Sequence, residues 1–142
     1  MKVLYTAKAV AKGGREGHVR SDDGVLDLDL SMPKELGGSG RRATNPEQLF
    51  AAGYAACFEN ALLRAARERK VTIPDPTVTA AVGIGRGETG RFGLTVSLEV
   101  ELPGVERSEA EALLRATHEE ICPYSHATRG NIDVSVSLVG RP

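Results

Sequence analysis

Apolar positions recur with two different periods along this chain, and the switches between them mark its elements. Val3 to Val10 alternates loosely, and Val25-Leu26-Asp27-Leu28-Asp29-Leu30 alternates strictly. Both patterns predict strands, the second half-buried. His18 to Arg20 begins another strand between two turns, Lys12-Gly13-Gly14-Arg15-Glu16-Gly17 and Asp22-Asp23-Gly24. Pro33 to Arg42, which holds Gly37-Gly38-Ser39-Gly40, reads as a flexible loop. From Leu49 to Leu63 nearly every residue is apolar or small, Glu59 and Asn60 apart. A helix that is apolar all round is expected to be buried all round. Asn45 is its expected N-cap, because Pro46 disfavours helical angles in the residue before it and suits the first helical position. Arg64 to Lys70 is charged and should reach solvent.

Pro74-Asp75-Pro76 breaks the chain near its middle. Thr77 to Arg86 and Phe92 to Leu102 then read as strands joined by a glycine-rich hairpin. Ser108-Glu109-Ala110-Glu111 resembles a capping box for a second helix running to about Ile121. Pro123 makes further helix costly. Ser125 to Arg129 suits a short extra turn, and Ile132 to Val139 alternates as a closing strand. Strands, helix, strands, helix, strand is an α+β order: one domain over residues 1–142, with antiparallel strands covering helices.

Charge narrows the function. Eighteen basic and 19 acidic residues leave a net charge of −1, which gives no electrostatic argument for nucleic acid or a membrane surface. Trp is absent and aromatics are scarce, so stacking platforms for single strands are not expected. No run approaches the roughly 20 apolar residues of a membrane span. The N-terminal residues alternate and lack the hydrophobic region of an export signal, so the expected compartment is the cytoplasm. Structural disulfides are rare there, which turns attention to the two cysteines, Cys57 and Cys122.

Cys57 lies in Ala55-Ala56-Cys57-Phe58, inside the apolar helix, and Cys122 in Ile121-Cys122-Pro123-Tyr124, where the second helix must stop. Taken alone, each reads as packing, since free cysteine is among the most buried residue types. As a reactive pair they ask for more. A thiol with a pKa of about 8.5 is only a few per cent thiolate at neutral pH. Burial makes that worse and a neighbouring guanidinium reverses it. A buried arginine in turn needs a carboxylate. Arg15, Arg41, Arg42 and Arg129, with Glu47, Asp22 or Asp23, are the candidates, and spacing does not choose among them. Arg41 and Arg42 read locally as a solvated pair, Arg129 as one side of a structural ion pair, and Asn60 as a satisfied buried amide. His118 and Cys122 have i, i+4 spacing, but the chain offers too few further ligands to point to zinc.

Longer motifs do choose. Asn45-Pro46-Glu47-Gln48-Leu49-Phe50-Ala51-Ala52-Gly53-Tyr54-Ala55-Ala56-Cys57-Phe58 resembles the first cysteine motif of the organic hydroperoxide resistance (Ohr) proteins. Cys122-Pro123-Tyr124-Ser125 and Thr128-Arg129-Gly130-Asn131-Ile132-Asp133-Val134 resemble the second. Gly13-Gly14-Arg15-Glu16-Gly17 and Pro33-Lys34-Glu35-Leu36-Gly37-Gly38 also match, and His126 departs from the asparagine expected in that pattern. The resemblance covers essentially the whole chain. It implies an OsmC-like fold, with sheets wrapped around long central helices in an intertwined homodimer. It implies a thiol peroxidase acting on organic hydroperoxides, with Cys57 as peroxidatic thiol, Cys122 as resolving thiol, Arg15 holding the thiolate and Glu47 holding Arg15. The implied reductant is a dihydrolipoyl group on another protein, with no tightly bound cofactor and no metal. The alternatives are a peroxidase of the sister OsmC branch with broader substrate use, or a redox sensor that turns over little.

Two expectations follow when those implied roles are set on the residues. Phe50, Tyr54, Phe58 and Ile121 could line an apolar mouth that favours alkyl over hydrogen peroxide. Glu47 precedes Cys57 by ten residues, about 15 Å along a straight helix. One guanidinium does not comfortably span that, so Arg15 and Glu47 are expected to meet the Cys57 of a partner subunit.

Overall fold

The computed structural model describes residues 1–140. Its contacts gather into two compact units, residues 1–49 and the chain from Phe50 onward. In the first, β1 (Ala9–Lys12), β2 (His18–Ser21) and β3 (Asp27–Asp29) form an antiparallel sheet in that order. The first strand lies later than the alternation of Val3 to Val10 predicts. Its register ends at Ala9 opposite Ser21, with one further bond from the Asp22 amide to the Lys8 carbonyl; β2 then gives way to a turn, so residues 1–7 have no ladder to join. Val3, Leu4 and Tyr5 are exposed as a result. β3 is likewise cut to three residues, because Leu26 is already spent closing the turn onto Ser21. The Pro33 to Arg42 loop contains one 3-10 turn, Lys34–Leu36.

α1 spans Pro46–Glu68 and starts where the sequence predicts. The Asn45 side-chain oxygen accepts from the Gln48 amide at 2.8 Å, and its carbonyl accepts from Leu49 at 3.1 Å. Tyr54, Phe58, Ala61, Leu62, Ala65 and Ala66 form the buried stripe at helical spacing. Burial does not extend all round: Ala52, Ala56 and Asn60, four residues apart, form an exposed stripe. Asn60 is therefore not the buried amide that its apolar context suggested.

In the second unit, β4 (Thr77–Arg86) and β5 (Phe92–Glu101) make the expected antiparallel hairpin, ten pairs from Thr77↔Glu101 to Arg86↔Phe92. β6 (Val134–Val139) joins β5 in parallel, not antiparallel. Parallel pairing requires a crossover of a dozen or more residues. The segment from Leu102 to Asp133 supplies it, carrying α2 (Arg107–Ala116), a π turn (Thr117–Ile121) and α3 (Pro123–Thr128). α2 is capped by Glu106, whose carboxylate accepts from the Ser108 and Glu109 amides, so it begins ahead of the Ser108 box. Val96, Leu98 and Val100 of β5 alternate into a core shared with Phe58 and Leu62 of α1 and with Ala110, Leu113 and Leu114 of α2. The result is an α+β fold. Among the described residues, no helix is long and apolar enough to cross a membrane.

Leu98 sits at the centre of this core on the middle strand and is fully buried. Leu98→Ala should cost about 2–5 kcal/mol, through lost transfer energy plus the cavity left behind. Urea unfolding followed by circular dichroism measures it; a loss below about 1 kcal/mol would mean the core collapses around the change.

Candidate active site

Arg15 sits in a 3-10 turn, Gly14–Glu16, between β1 and β2. The turn is tight: a Cβ added at Gly17 would lie 1.8 Å from the Lys12 carbonyl oxygen, so only glycine closes it. Glu16 ties the turn down by accepting from the Met32 amide at 2.9 Å. The Arg15 guanidinium is thereby presented to Glu47 in the first turn of α1. It donates twice, Nη1 to Oε2 at 2.8 Å and Nη2 to Oε1 at 2.7 Å, in the fork geometry that arginine and carboxylate share. The hydrogen bonds from Arg15, assisted by its charge, hold the Glu47 carboxyl below its ordinary value against the opposing effect of burial. Two of the competing candidates are engaged elsewhere. Asp23 accepts from Ser21 Oγ at 2.6 Å and from the Val25 amide at 3.0 Å within its turn. Arg41 donates to the Leu30 carbonyl at 3.1 Å.

Cys57 and Cys122 meet in the second unit, both as free thiols. Cys57 lies half-buried on α1 and Cys122 is buried at the N-cap of α3, where its sulfur accepts from the Ser125 amide at 3.4 Å. Burial pushes the Cys57 thiol up, the neighbouring Cys122 adds to this, and the backbone N–H of Tyr124 pulls the other way. The four predicted residues thus form two pairs, each inside one compact unit.

The predicted mouth is only partly realised. Tyr54 and Phe58 are fully buried and belong to the core, whereas Phe50 and Ile121 are partly buried at its edge. Tyr124, which sequence reasoning passed over, remains 41% exposed. Its ring centroid lies 5.7 Å from that of Tyr54 and 6.5 Å from that of Phe50. Gly53 permits this approach, since a Cβ there would stand 3.2 Å from the Tyr124 hydroxyl. The signal was available: an aromatic residue directly after Cys122-Pro123 sits in the first turn of whatever helix that proline starts.

A family model described as "OsmC-like protein" matches residues 37–137. An organic hydroperoxide resistance protein from Xanthomonas axonopodis pv. citri is 51% identical over 138 residues, 96% of each chain. The chain belongs to the OsmC-like family. Its solved neighbours place it with the Ohr proteins. The crystal structure of one from Legionella pneumophila shares 51% identity at a TM-score of 0.92, over 98% of this chain and all of that one. Another from Elizabethkingia anophelis shares 50% at a TM-score of 0.93, over 99% of this chain and all of that one.

One further residue of this OsmC-like chain, Arg129, differs from its local sequence reading. Arg129 forms no ion pair among the described residues; it donates to the His118 carbonyl at 2.6 Å and so braces the segment before Cys122. His118 turns its Nδ1 to Ser125 Oγ at 2.8 Å.

The Arg15–Glu47 pair makes stability depend on acid. Glu47 has a lower pKa folded than unfolded, so its contribution is complete above the ordinary carboxylate range and disappears as pH falls through the folded value. The urea midpoint of the wild type should therefore drop more steeply between about pH 5 and 3 than that of Glu47→Gln. Parallel curves for the two proteins would show that the pair contributes nothing net.

Proposed function

We propose that this protein is a thiol peroxidase that reduces organic hydroperoxides to alcohols. The observation that carries the reading is the meeting of two free thiols, Cys57 and Cys122, drawn from distant parts of the sequence. The hydroperoxide substrate class is supported by the names of its relatives. The Cys57 thiolate attacks the terminal oxygen of ROOH; an S–O bond forms, the O–O bond breaks, and the alkoxide takes a proton to leave as ROH. Cys57 sulfenic acid then condenses with the Cys122 thiol, releasing water and forming a disulfide. A dithiol reopens it by exchange. We assign that dithiol to a dihydrolipoyl group on another protein, so that no tightly bound cofactor is needed.

The first step needs a cation, because burial raises the Cys57 thiol. Arg15, held in orientation by Glu47, suits the role: it would stabilise the thiolate and the charge growing on the departing alkoxide. Ten residues of α1 separate Glu47 from Cys57, about 15 Å of helix. The reading therefore brings Arg15 and Glu47 to the Cys57 of a second copy in a homodimer. The exposed stripe Ala52, Ala56 and Asn60 favours close approach of another backbone, and exposed Val3, Leu4 and Tyr5 offer apolar surface for a partner to cover.

Cys57→Ser should abolish consumption of an alkyl hydroperoxide supported by a dihydrolipoyl dithiol. Arg15→Ala should slow Cys57 oxidation by on the order of a hundredfold while leaving the fold intact. Mixing the two inactive variants through unfolding and refolding tests the shared site. If the charges come from the partner, each mixed dimer regains one complete site, and random pairing restores about a quarter of wild-type activity. If Cys57 and Arg15 of one chain act together, every mixed dimer stays inactive, which would sink the shared-site reading. Retained turnover in Cys57→Ser would refute the nucleophile.

A further inference from the structure

We propose that Tyr54, Ser125 and His118 are positioning residues for the resolving thiol. Their hydrogen-bonded chain would hold Cys122 where it captures the Cys57 sulfenic acid before a second peroxide does. The proposal rests on the peroxidase reading above.

The backbone around Cys122 is poorly equipped to hold itself. Before it lies the π turn Thr117–Ile121, closed by the Cys122 amide onto the Thr117 carbonyl at 2.9 Å. Such turns are rare and are mostly short interruptions of α-helices. After it comes Pro123, which has no N–H to donate. α3 is six residues long, far below the length at which a helix is stable unaided. The position of Cys122 must therefore be set from outside its own segment.

Side chains on both sides of Cys122 do this. The Tyr54 hydroxyl lies 2.9 Å from Ser125 Oγ and 3.2 Å from Thr128 Oγ1, so α1 grips α3 at two points. Ser125 Oγ also meets His118 Nδ1 at 2.8 Å, which joins α3 back to the π turn. Residues 118 and 125 thus bracket Cys122, and the Ser125 amide donates directly to the Cys122 sulfur. Tyr54 and Ser125 are fully buried, where a polar atom is tolerated only if it is partnered. Apolar side chains of the same shape would fill this space. What the hydroxyls add is direction and register between α3 and the helix that bears Cys57. Tyr54 precedes Cys57 by three residues, so the anchor and the sulfenic acid share one rigid frame.

The sulfenic acid has two fates. The Cys122 sulfur attacks Cys57; an S–S bond forms, the S–O bond breaks, and the thiol proton leaves with the hydroxyl as water. Alternatively a second ROOH delivers an oxygen, giving Cys57 sulfinic acid and ROH. Loosening the chain should slow the first fate and leave both the second and the initial oxidation unchanged.

Tyr54→Phe, His118→Leu and His118→Asn test this. In Tyr54→Phe no partner is orphaned: Ser125 keeps His118, and Thr128 keeps the Tyr124 carbonyl at 3.0 Å and the Ser125 carbonyl at 3.2 Å. Each protein is treated with excess cumene hydroperoxide, quenched at intervals, and scored by intact mass for disulfide and for gain of two oxygens. Tyr54→Phe and His118→Leu should form about five- to tenfold more sulfinic acid per disulfide than wild type, the worth of one buried hydrogen bond. Their rates of Cys57 oxidation should match wild type. His118→Asn, which can replace the Nδ1 contact, should restore the wild-type ratio. An unchanged ratio in Tyr54→Phe and His118→Leu would overturn the proposal. So would His118→Asn behaving like His118→Leu, or a parallel fall in the first oxidation rate. A wild type that forms no disulfide at all would instead remove the peroxidase reading, and this assignment with it.

Discussion

A thiol held against hydrocarbon does not ionise on its own, and that constraint governs the whole site. Burial on α1 raises the Cys57 thiol. A strong compensating charge has to be permanent, oriented and itself partnered, and the proposed function draws it from Arg15, which Glu47 holds through two hydrogen bonds. The turn closed by Gly17, the tether of Glu16 to Met32 and the start of α1 at Asn45 all serve to present that guanidinium. Arg15 and Glu47 belong to the first unit and the two thiols to the second, and the proposed chemistry needs charge and thiol together.

The second thiol is governed by topology. β6 lies parallel to β5, so the chain must cross over between them, and Cys122 rides on that crossover. A crossover interrupted by a π turn and a proline is not as stiff as a continuous helix. The buried hydroxyls of Tyr54, Ser125 and Thr128 compensate with directional contacts, and among the described residues no buried side-chain polar atom lacks a partner.

How much of this was legible depends on the range of the interaction responsible. Asn45-Pro46 and the hairpin from Thr77 to Glu101 are encoded by neighbours in sequence, and they stand where local rules put them. Val3 to Val10 carries a strand pattern, but a strand needs a partner, and periodicity says nothing of whether one is at hand. The parallel placement of β6 depends on the path of the 32 residues from Leu102 to Asp133, which no alternation records. In α2 the cap came from Glu106, two residues ahead of the signature at Ser108, because a carboxylate can reach the same amides. The cysteines announced themselves by type and setting, and the need for arginine and a carboxylate followed from charge. The choice of Arg15 and Glu47 did not; they are 32 residues apart, and only the longer motifs singled them out. The π turn was hidden for the same reason, whereas Tyr124 was signalled by its place directly after Cys122-Pro123.

That the two sulfurs face each other from so far apart along the chain has a consequence beyond turnover. A bond between Cys57 and Cys122 ties off a loop of about 65 residues, which in the chain-entropy account removes about 4 kcal/mol of freedom from the unfolded state. Oxidation would then do more than hold an intermediate; it would stiffen the molecule against heat at the moment of peroxide exposure. Reduction would return it to a looser baseline. The melting temperature of such a protein would become a record of its recent redox history, written by the same pair of atoms to which the chemistry is assigned.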